Sequence, residues 1–307
     1  MRVAVYGAGG VGGYFGGRLA QSGVEVHLLA RGAHLAALRE HGLRLHSVAG
    51  DATVDAAATD DPAEIGRCDV VLFCVKTYDT ESAAARLGPL VGDGTAVVSL
   101  QNGVDNEAKL AAAVGPEHVM GGAAFIFAGI GEPGVVVHTG GPTTVTVGEL
   151  DGRASDRAEA LVASCRAAGF GAELSTDITG VLWGKLAFIC AQAGMTAAVR
   201  LPIGEIRDTA EGWAGFRRLV EEVAAVAAAD GHPLADGAVQ RALELGRGVE
   251  PGSVSSLHDD LVAGRRMELD ALHGFVARRA VALGVPVPMT TAVLAVLTPW
   301  AVRNARS

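Results

Sequence analysis

A short apolar run followed at once by three spaced glycines constrains this chain more than any other feature. Val3-Ala4-Val5-Tyr6 leads into Gly7-Ala8-Gly9-Gly10-Val11-Gly12, and residues 11–22 read as a helix. Gly7, Gly9 and Gly12 fill the GxGxxG pattern. The first glycine permits a tight turn, the second lets the backbone approach a pyrophosphate, and the third lets helix pack on strand. The helix start then offers free N–H groups and a positive dipole end to phosphate. Among 42 glycines a lone match carries little weight. The strand before it and the helix after it carry the reading, in which Gly7, Gly9, Gly10, Val11 and Gly12 hold a dinucleotide. The alternative is a turn with a structural role only.

The second expected strand, 25–29, runs to Ala30-Arg31. An enzyme that prefers NAD carries an acid near this strand end, to hold the ribose 2′-hydroxyl. Here no acid follows Leu28, and Arg31 stands nineteen residues after Gly12. A guanidinium matches a 2′-phosphate bidentately, so the expected cofactor is NADP, as NADPH. An ordinary exposed arginine at a strand end is the alternative. Runs at 70–75 and 96–100 deliver Lys76 and Asn102 at their C-terminal ends, where open α/β sheets place ligands. A solvated lysine and a turn asparagine are the other readings.

The full length of 307 residues suggests two domains. Up to 175, β-branched runs (also at 119–127, 135–138 and 144–147) alternate with helical stretches at 33–41, 79–87, 104–114 and 156–168. This predicts an α/β domain with a doubly wound, Rossmann-type sheet. Gly140-Gly141-Pro142 reads as the turn of a terminal hairpin. From 176 to 307 the pattern is helical, with helices expected at 177–199, 209–230, 235–246, 253–284 and 289–303. A ligand site is expected where the two domains meet.

Two charged residues fall where apolar ones belong. Ile178, Val181, Leu182, Leu186 and Ile189 define a helical stripe, and Lys185 lies on it. Such a lysine must snorkel, find a partner or line a cavity. Partial burial would move its pKa toward that of a general acid. Glu268 follows Leu261 by seven residues and precedes Leu272 by four, so one long helix would place it on their face. It either converges with Lys185 on a polar pocket or pairs with Arg265 on the surface. Ser256, near the expected start of that helix, is a ligand or simply an N-cap.

Taken in order, Gly7-x-Gly9-x-x-Gly12, Arg31, Lys76, Asn102-Gly103, Trp183-x-Lys185-Leu186, Gly204-Glu205, Ser255-Ser256 and Glu268-x-Asp270 resemble the ketopantoate reductase (2-dehydropantoate 2-reductase) family over nearly the whole chain. The resemblance implies an NADPH-binding Rossmann domain and an all-α domain like the C-terminal domain of 6-phosphogluconate dehydrogenase. It implies hydride delivery to the carbonyl of a 2-oxo acid. Lys185 would then protonate the alkoxide, Glu268 orient substrate and lysine, Asn102 support the site, and Ser256 bind the substrate carboxylate. The chain also departs from the family pattern. Members that reduce ketopantoate carry asparagines four and eight residues after the lysine and another in a Pro-Asn-Gly-Glu run, where this sequence has Ile189, Ala193 and Ile203.

Other features narrow the function class. A formal charge of −9 without a Lys/Arg cluster argues against nucleic acid or an anionic membrane as partner. No uninterrupted apolar run reaches a membrane span, and the opening residues do not read as a signal peptide. The expectation is therefore a cytoplasmic enzyme acting on a small-molecule carbonyl substrate, with homodimerisation left open. Cys68, Cys74, Cys165 and Cys190 form no CxxC pair and are expected as free thiols, and no metal site is expected. A 3-hydroxyacid-type dehydrogenase and a non-catalytic NADP-binding sensor are the alternatives. Arg31 and the Ser256/Glu268 segment weigh against the first, and the pairing of Lys185 with Glu268 weighs against the second.

Overall fold

The alternating side chains of the first strand feed two separate cores, and this organises the N-terminal half. In the computed structural model, which describes residues 1–306, strand β1 (Arg2–Tyr6) points Val3 and Val5 into one core with Leu28, Leu72 and Val98. Ala4 and Tyr6 point into the other, with Leu29, Phe73 and Val97. A sheet buried on both faces needs strands that are apolar on both sides, as residues 3–6, 70–73 and 96–98 are.

The chain continues through α1 (Gly10–Gln21), β2 (Glu25–Leu29), α2 (Gly32–His41), β3 (Leu43–Ser47), β4 (Ala52–Val54), β5 (Ala57–Thr59) and β6 (Val70–Phe73). Then come α3 (Thr80–Ala84), β7 (Ala96–Ser99), α4 (Asn106–Val114), β8 (Val119–Ile130), β9 (Val135–Glu149), α5 (Asp156–Ala167) and β10 (Gly171–Leu174). The sheet order is β4-β3-β9-β8-β7-β6-β1-β2-β5, with β10 also paired to β9. From β8 to β5 all neighbours are parallel, which is the doubly wound Rossmann-like part. Antiparallel β8–β9 pairing turns the rest into a mixed extension.

The hairpin expected at 135–147 is not formed. Residues 135–149 are one strand, and its partner β8 shifts register around Phe127. Gly140 (φ +137°) and Gly141 (φ +78°) take conformations that L side chains avoid, so they kink the strand as a bulge instead of ending it. The first half of β9 pairs with β3 and the second half with β10. The helix expected at 79–87 shortens to α3, flanked by 3-10 turns at 77–79 and 88–90.

By contact density the chain divides into residues 1–101 with 105–178, and residues 102–104 with 179 onward. The second unit is helical: α6 (Ile178–Val199), α7 (Ile203–Arg207), α8 (Ala210–Ala229), α9 (Ala238–Gly248), α10 (Ser256–Val262), α11 (Phe275–Leu283) and α12 (Pro288–Asn304). By length and composition α6 could cross a membrane, but most of it is buried in this unit's core, as befits a helix apolar on nearly every side. The Glu222 carboxylate on α8 accepts from the N–H groups of Met289 and Thr290 (2.8 Å each) and from Thr290 Oγ1 (2.8 Å). It thereby fixes the first turn of α12, whose N–H groups have no partner within the helix.

The single helix expected at 253–284 is broken. Gly264 (φ +67°) ends α10, because only glycine adopts this left-handed conformation freely. Residues 265–268 are irregular, and a π-helical turn, Asp270–Gly274, precedes α11. The broken segment is held by Arg265, whose Nε donates to Asp260 Oδ1 (2.8 Å) and whose carbonyl accepts from Asn304 Nδ2 (3.1 Å).

Candidate functional site

In the first unit the glycine turn has three distinct local environments. Gly7 takes φ +101°, and a Cβ there would meet the backbone at Cys74 and Val75 at 2.8–3.0 Å. At Gly12 a Cβ would sit 2.3 Å from the Gly7 carbonyl oxygen and 2.8 Å from Val5 Cγ1. Around Gly9, by contrast, a Cβ would meet nothing within 4 Å. The turn is thus closed on the protein side and open where a pyrophosphate would approach. Gly10 is also closed, with a Cβ 2.4 Å from the Ala128 carbonyl oxygen. No side chain caps α1, so the first-turn N–H groups at Gly10, Val11 and Gly12 lack the usual side-chain acceptor, leaving a ready anion site.

Two residues not assigned from sequence brace this region. His34 Nδ1 accepts from the Gly134 N–H (3.0 Å), which places the proton on Nε2, and Nε2 donates to the Ala8 carbonyl (2.8 Å). Gln101 is buried at the end of β7, and its Nε2 donates to the Val75 carbonyl and to Thr80 Oγ1 (2.8 Å each). It ties the residue preceding Lys76 to the one preceding Asn102. A buried polar residue at a strand's C-terminal end was the available signal for it. Lys76 and Asn102 are both partly buried at these two ends. Arg31 is the N-cap residue of α2, its side chain 63% exposed, with a long contact to Asp79 (3.8 Å).

In the second unit Lys185 is 8% exposed on α6 and Glu268 is 9% exposed in the irregular 265–268 segment. Glu268 is buried as expected, but the helical face used to argue it does not exist, since Gly264 ends the helix four residues earlier. Arg265, the surface alternative for Glu268, pairs with Asp260. Asn102 and Ser256 belong to this same unit. Ser256 is the exposed first residue of α10, and the N-cap is Ser255, whose Oγ accepts from the His258 N–H (3.1 Å). Where family amides were expected, Ile189 is half-buried, Ala193 is buried, and Ile203 is buried with its N–H bonded to the Ser253 carbonyl (3.0 Å).

His273 in the π-helical turn is fully buried, and its Nε2 donates to the Cys190 carbonyl of α6 (2.9 Å). Burial holds its pKa down to about 4, against the opposing pull of that hydrogen bond, so the ring is neutral at ordinary pH. All four cysteines are free, and burial pushes Cys68 up to about 11 and Cys165 up to about 12, which leaves them poor nucleophiles.

Known proteins share this arrangement. Residues 3–152 match the family "Ketopantoate reductase PanE/ApbA", and residues 177–300 match "Ketopantoate reductase PanE/ApbA C terminal". A 2-dehydropantoate 2-reductase from Halobacterium salinarum is 34% identical over 94% of this chain and 95% of its own length. The uncharacterized oxidoreductase YkpB of Bacillus subtilis is 30% identical over 96% and 97%. The crystal structure of a PanE/ApbA family ketopantoate reductase from Ralstonia eutropha JMP134 superposes with a TM-score of 0.91, at 36% identity, covering 99% of this chain and 100% of that one. With both halves matched, and relatives aligned nearly end to end, the chain belongs to the ketopantoate reductase family of oxidoreductases.

Proposed function

We propose that the protein reduces the carbonyl of a 2-oxo acid, or a related ketone, with NADPH. The observation that carries this reading is Lys185, a cation held 8% exposed and the one charged residue of α6, in the unit that also buries Glu268. The work of Lys185 is to give a proton to the substrate oxygen as negative charge develops there. The Glu268 carboxylate orients the ammonium and the substrate, and the Asn102 amide supports the same oxygen. Ser256, exposed at the start of α10, receives the substrate carboxylate. When bound, NADPH supplies the hydride. The N–H groups from Gly9 to Gly12 would hold its pyrophosphate, Lys76 would line its site, and Arg31 would meet the 2′-phosphate by exchanging its long contact with Asp79 for a bidentate one.

The substrate differs from ketopantoate in this reading. Ile189, Ala193 and Ile203 offer a hydroxyl no hydrogen bond, and an unpaired buried hydroxyl costs about 1–3 kcal/mol. The pocket beside the reacting carbon therefore favours alkyl over hydroxyalkyl groups. Measuring kcat/KM for ketopantoate beside a panel of alkyl 2-oxo acids and ketones tests both points. Alkyl 2-oxo acids should lead. Ketopantoate leading the panel at about 10⁴ M⁻¹s⁻¹ or more would contradict the substrate assignment, and no NADPH oxidation with any compound would contradict the activity.

A further inference from the structure

One amide on α6 lacks a partner, and it lies in line with Lys185. Gln192 is 4% exposed, and its Nε2 is buried without a hydrogen bond. Native proteins rarely leave such a donor unmet, and each exception calls for an explanation, an absent ligand among them. The neighbouring hydroxyls cannot serve as donors in its place. Thr196 Oγ1 donates to the Gln192 carbonyl (2.7 Å), so the 2.8 Å bond between Thr196 Oγ1 and Ser255 Oγ uses the serine proton. Ser255 Oγ also accepts from His258 N–H. Both hydroxyl protons are spent inside the protein, and the Gln192 amide is not.

The helix shows where this amide faces. Val181, Gly184, Lys185, Phe188, Ile189 and Gln192 are spaced as one stripe of an α-helix. Between 181 and 197 the residues that are not fully buried are Val181, Gly184 and Ile189, all on that stripe. A Cβ added at Gly184 would meet nothing within 4 Å, so the stripe borders open space beside Lys185. Helical side chains lean toward the N-terminus, which turns Gln192 back toward Ile189 and Lys185.

We infer that Gln192 is a specificity-determining residue that hydrogen-bonds a second polar group, at the far end of the substrate. The inference rests on the proposed reduction of a 2-oxo acid at Lys185. Seven residues at 1.5 Å each put the two Cα atoms roughly 10 Å apart. Two hydrogen bonds of about 2.9 Å take up part of that span, leaving at least ~4–5 Å between the reacting carbonyl oxygen and the distal polar atom. Phe188 and Ile189 lie between Lys185 and Gln192 along the stripe. The substrate class is therefore a 2-oxo acid with an apolar middle and a hydroxyl or carbonyl at its end.

The test compares two isosteric probes, 2-oxoheptanoate and 6-hydroxy-2-oxohexanoate, with NADPH. The unaltered enzyme should favour the hydroxylated probe by about tenfold in kcat/KM, about 1.4 kcal/mol, mainly through KM. Gln192→Met, which conserves volume, should abolish that preference and leave kcat on 2-oxoheptanoate and NADPH affinity within about threefold. Gln192→Asn, which keeps the amide but withdraws it, should show a reduced preference and covers the case in which the methionine variant does not fold. Turnover of 2-oxoheptanoate with the same probe ratio in all three proteins would overturn this inference alone, marking the amide as a water-bound core group. Absence of turnover of either probe by the unaltered, NADPH-saturated enzyme would overturn it together with the proposed function.

Discussion

The two ends of the chemistry are built differently. At the glycine turn of the first unit, backbone would do the binding: a closed approach at Gly7, Gly10 and Gly12 with open space at Gly9, and an uncapped helix start. On α6 and the 265–274 segment of the second unit, side chains would do it in the proposed reduction: Lys185 and Glu268 are both buried, and a buried, neutral His273 ties the π-helical turn to the Cys190 carbonyl of α6. Backbone recognition depends on residues close in sequence and tolerates few substitutions. Side-chain recognition depends on distant packing, and it leaves room for substrate-reading positions such as Ile189 and Ala193 to change while the proton donor stays.

Four substitutions sharpen this contrast, in decreasing order of expected effect. Lys185→Ala should lower kcat by about 10²–10⁴-fold, the usual scale for losing a general acid, with NADPH affinity nearly unchanged. Steady-state kinetics and a cofactor titration on the same preparation check it. His273 gives a pH effect of the next size. Its folded pKa is depressed from 6.5 to about 4, so the unfolded chain alone takes up a proton between those values. Its contribution to stability is complete above about pH 6.5 and is lost as pH falls toward 4, about 3 kcal/mol in all. Denaturant melts from pH 7 to 4 should show a shallower fall for His273→Gln than for the unaltered protein. Gly12→Ala puts a methyl against the Gly7 carbonyl and Val5, and should cost about 1–3 kcal/mol of stability and weaken both NADPH and NADH. Arg31→Ala should weaken NADPH by roughly tenfold and spare NADH. Equal binding of the two cofactors by the unaltered protein would show that Arg31 reads no phosphate.

The same contrast governs what the sequence disclosed. The glycine turn, its strand and its helix were legible because they are contiguous, and the resemblance extended this to the family. The bulged strand β9 was read as a hairpin because Gly140-Gly141-Pro142 is ordinary turn chemistry. Only its partners, the preceding strand β8 along its length and the more distant β3 and β10 beside its two halves, show that it continues. β3, β4, β5 and β10, missed in the sequence, are three to five residues long; β3, β5 and β10 pair with strands more than twenty residues away, and the edge strand β4 forms only on β3. In the second unit, burial of Glu268 was anticipated from an unbroken helix that Gly264 interrupts, so the residue is buried for a different reason from the one read in the sequence. Gln101 and His34 escaped notice because their roles appear only once their backbone acceptors are brought within reach.

The central claim is that backbone in one unit holds the dinucleotide while a buried lysine in the other completes the reduction. Single-turnover oxidation of pre-bound NADPH by an alkyl 2-oxo acid, followed by absorbance with the hydroxy acid quantified, tests it most directly. The account predicts one hydroxy acid formed per NADPH consumed by the unaltered enzyme, and NADPH bound but consumed about 10²–10⁴-fold more slowly by Lys185→Ala. Equal single-turnover rates in the two proteins, or NADPH consumed without hydroxy acid appearing, would contradict it.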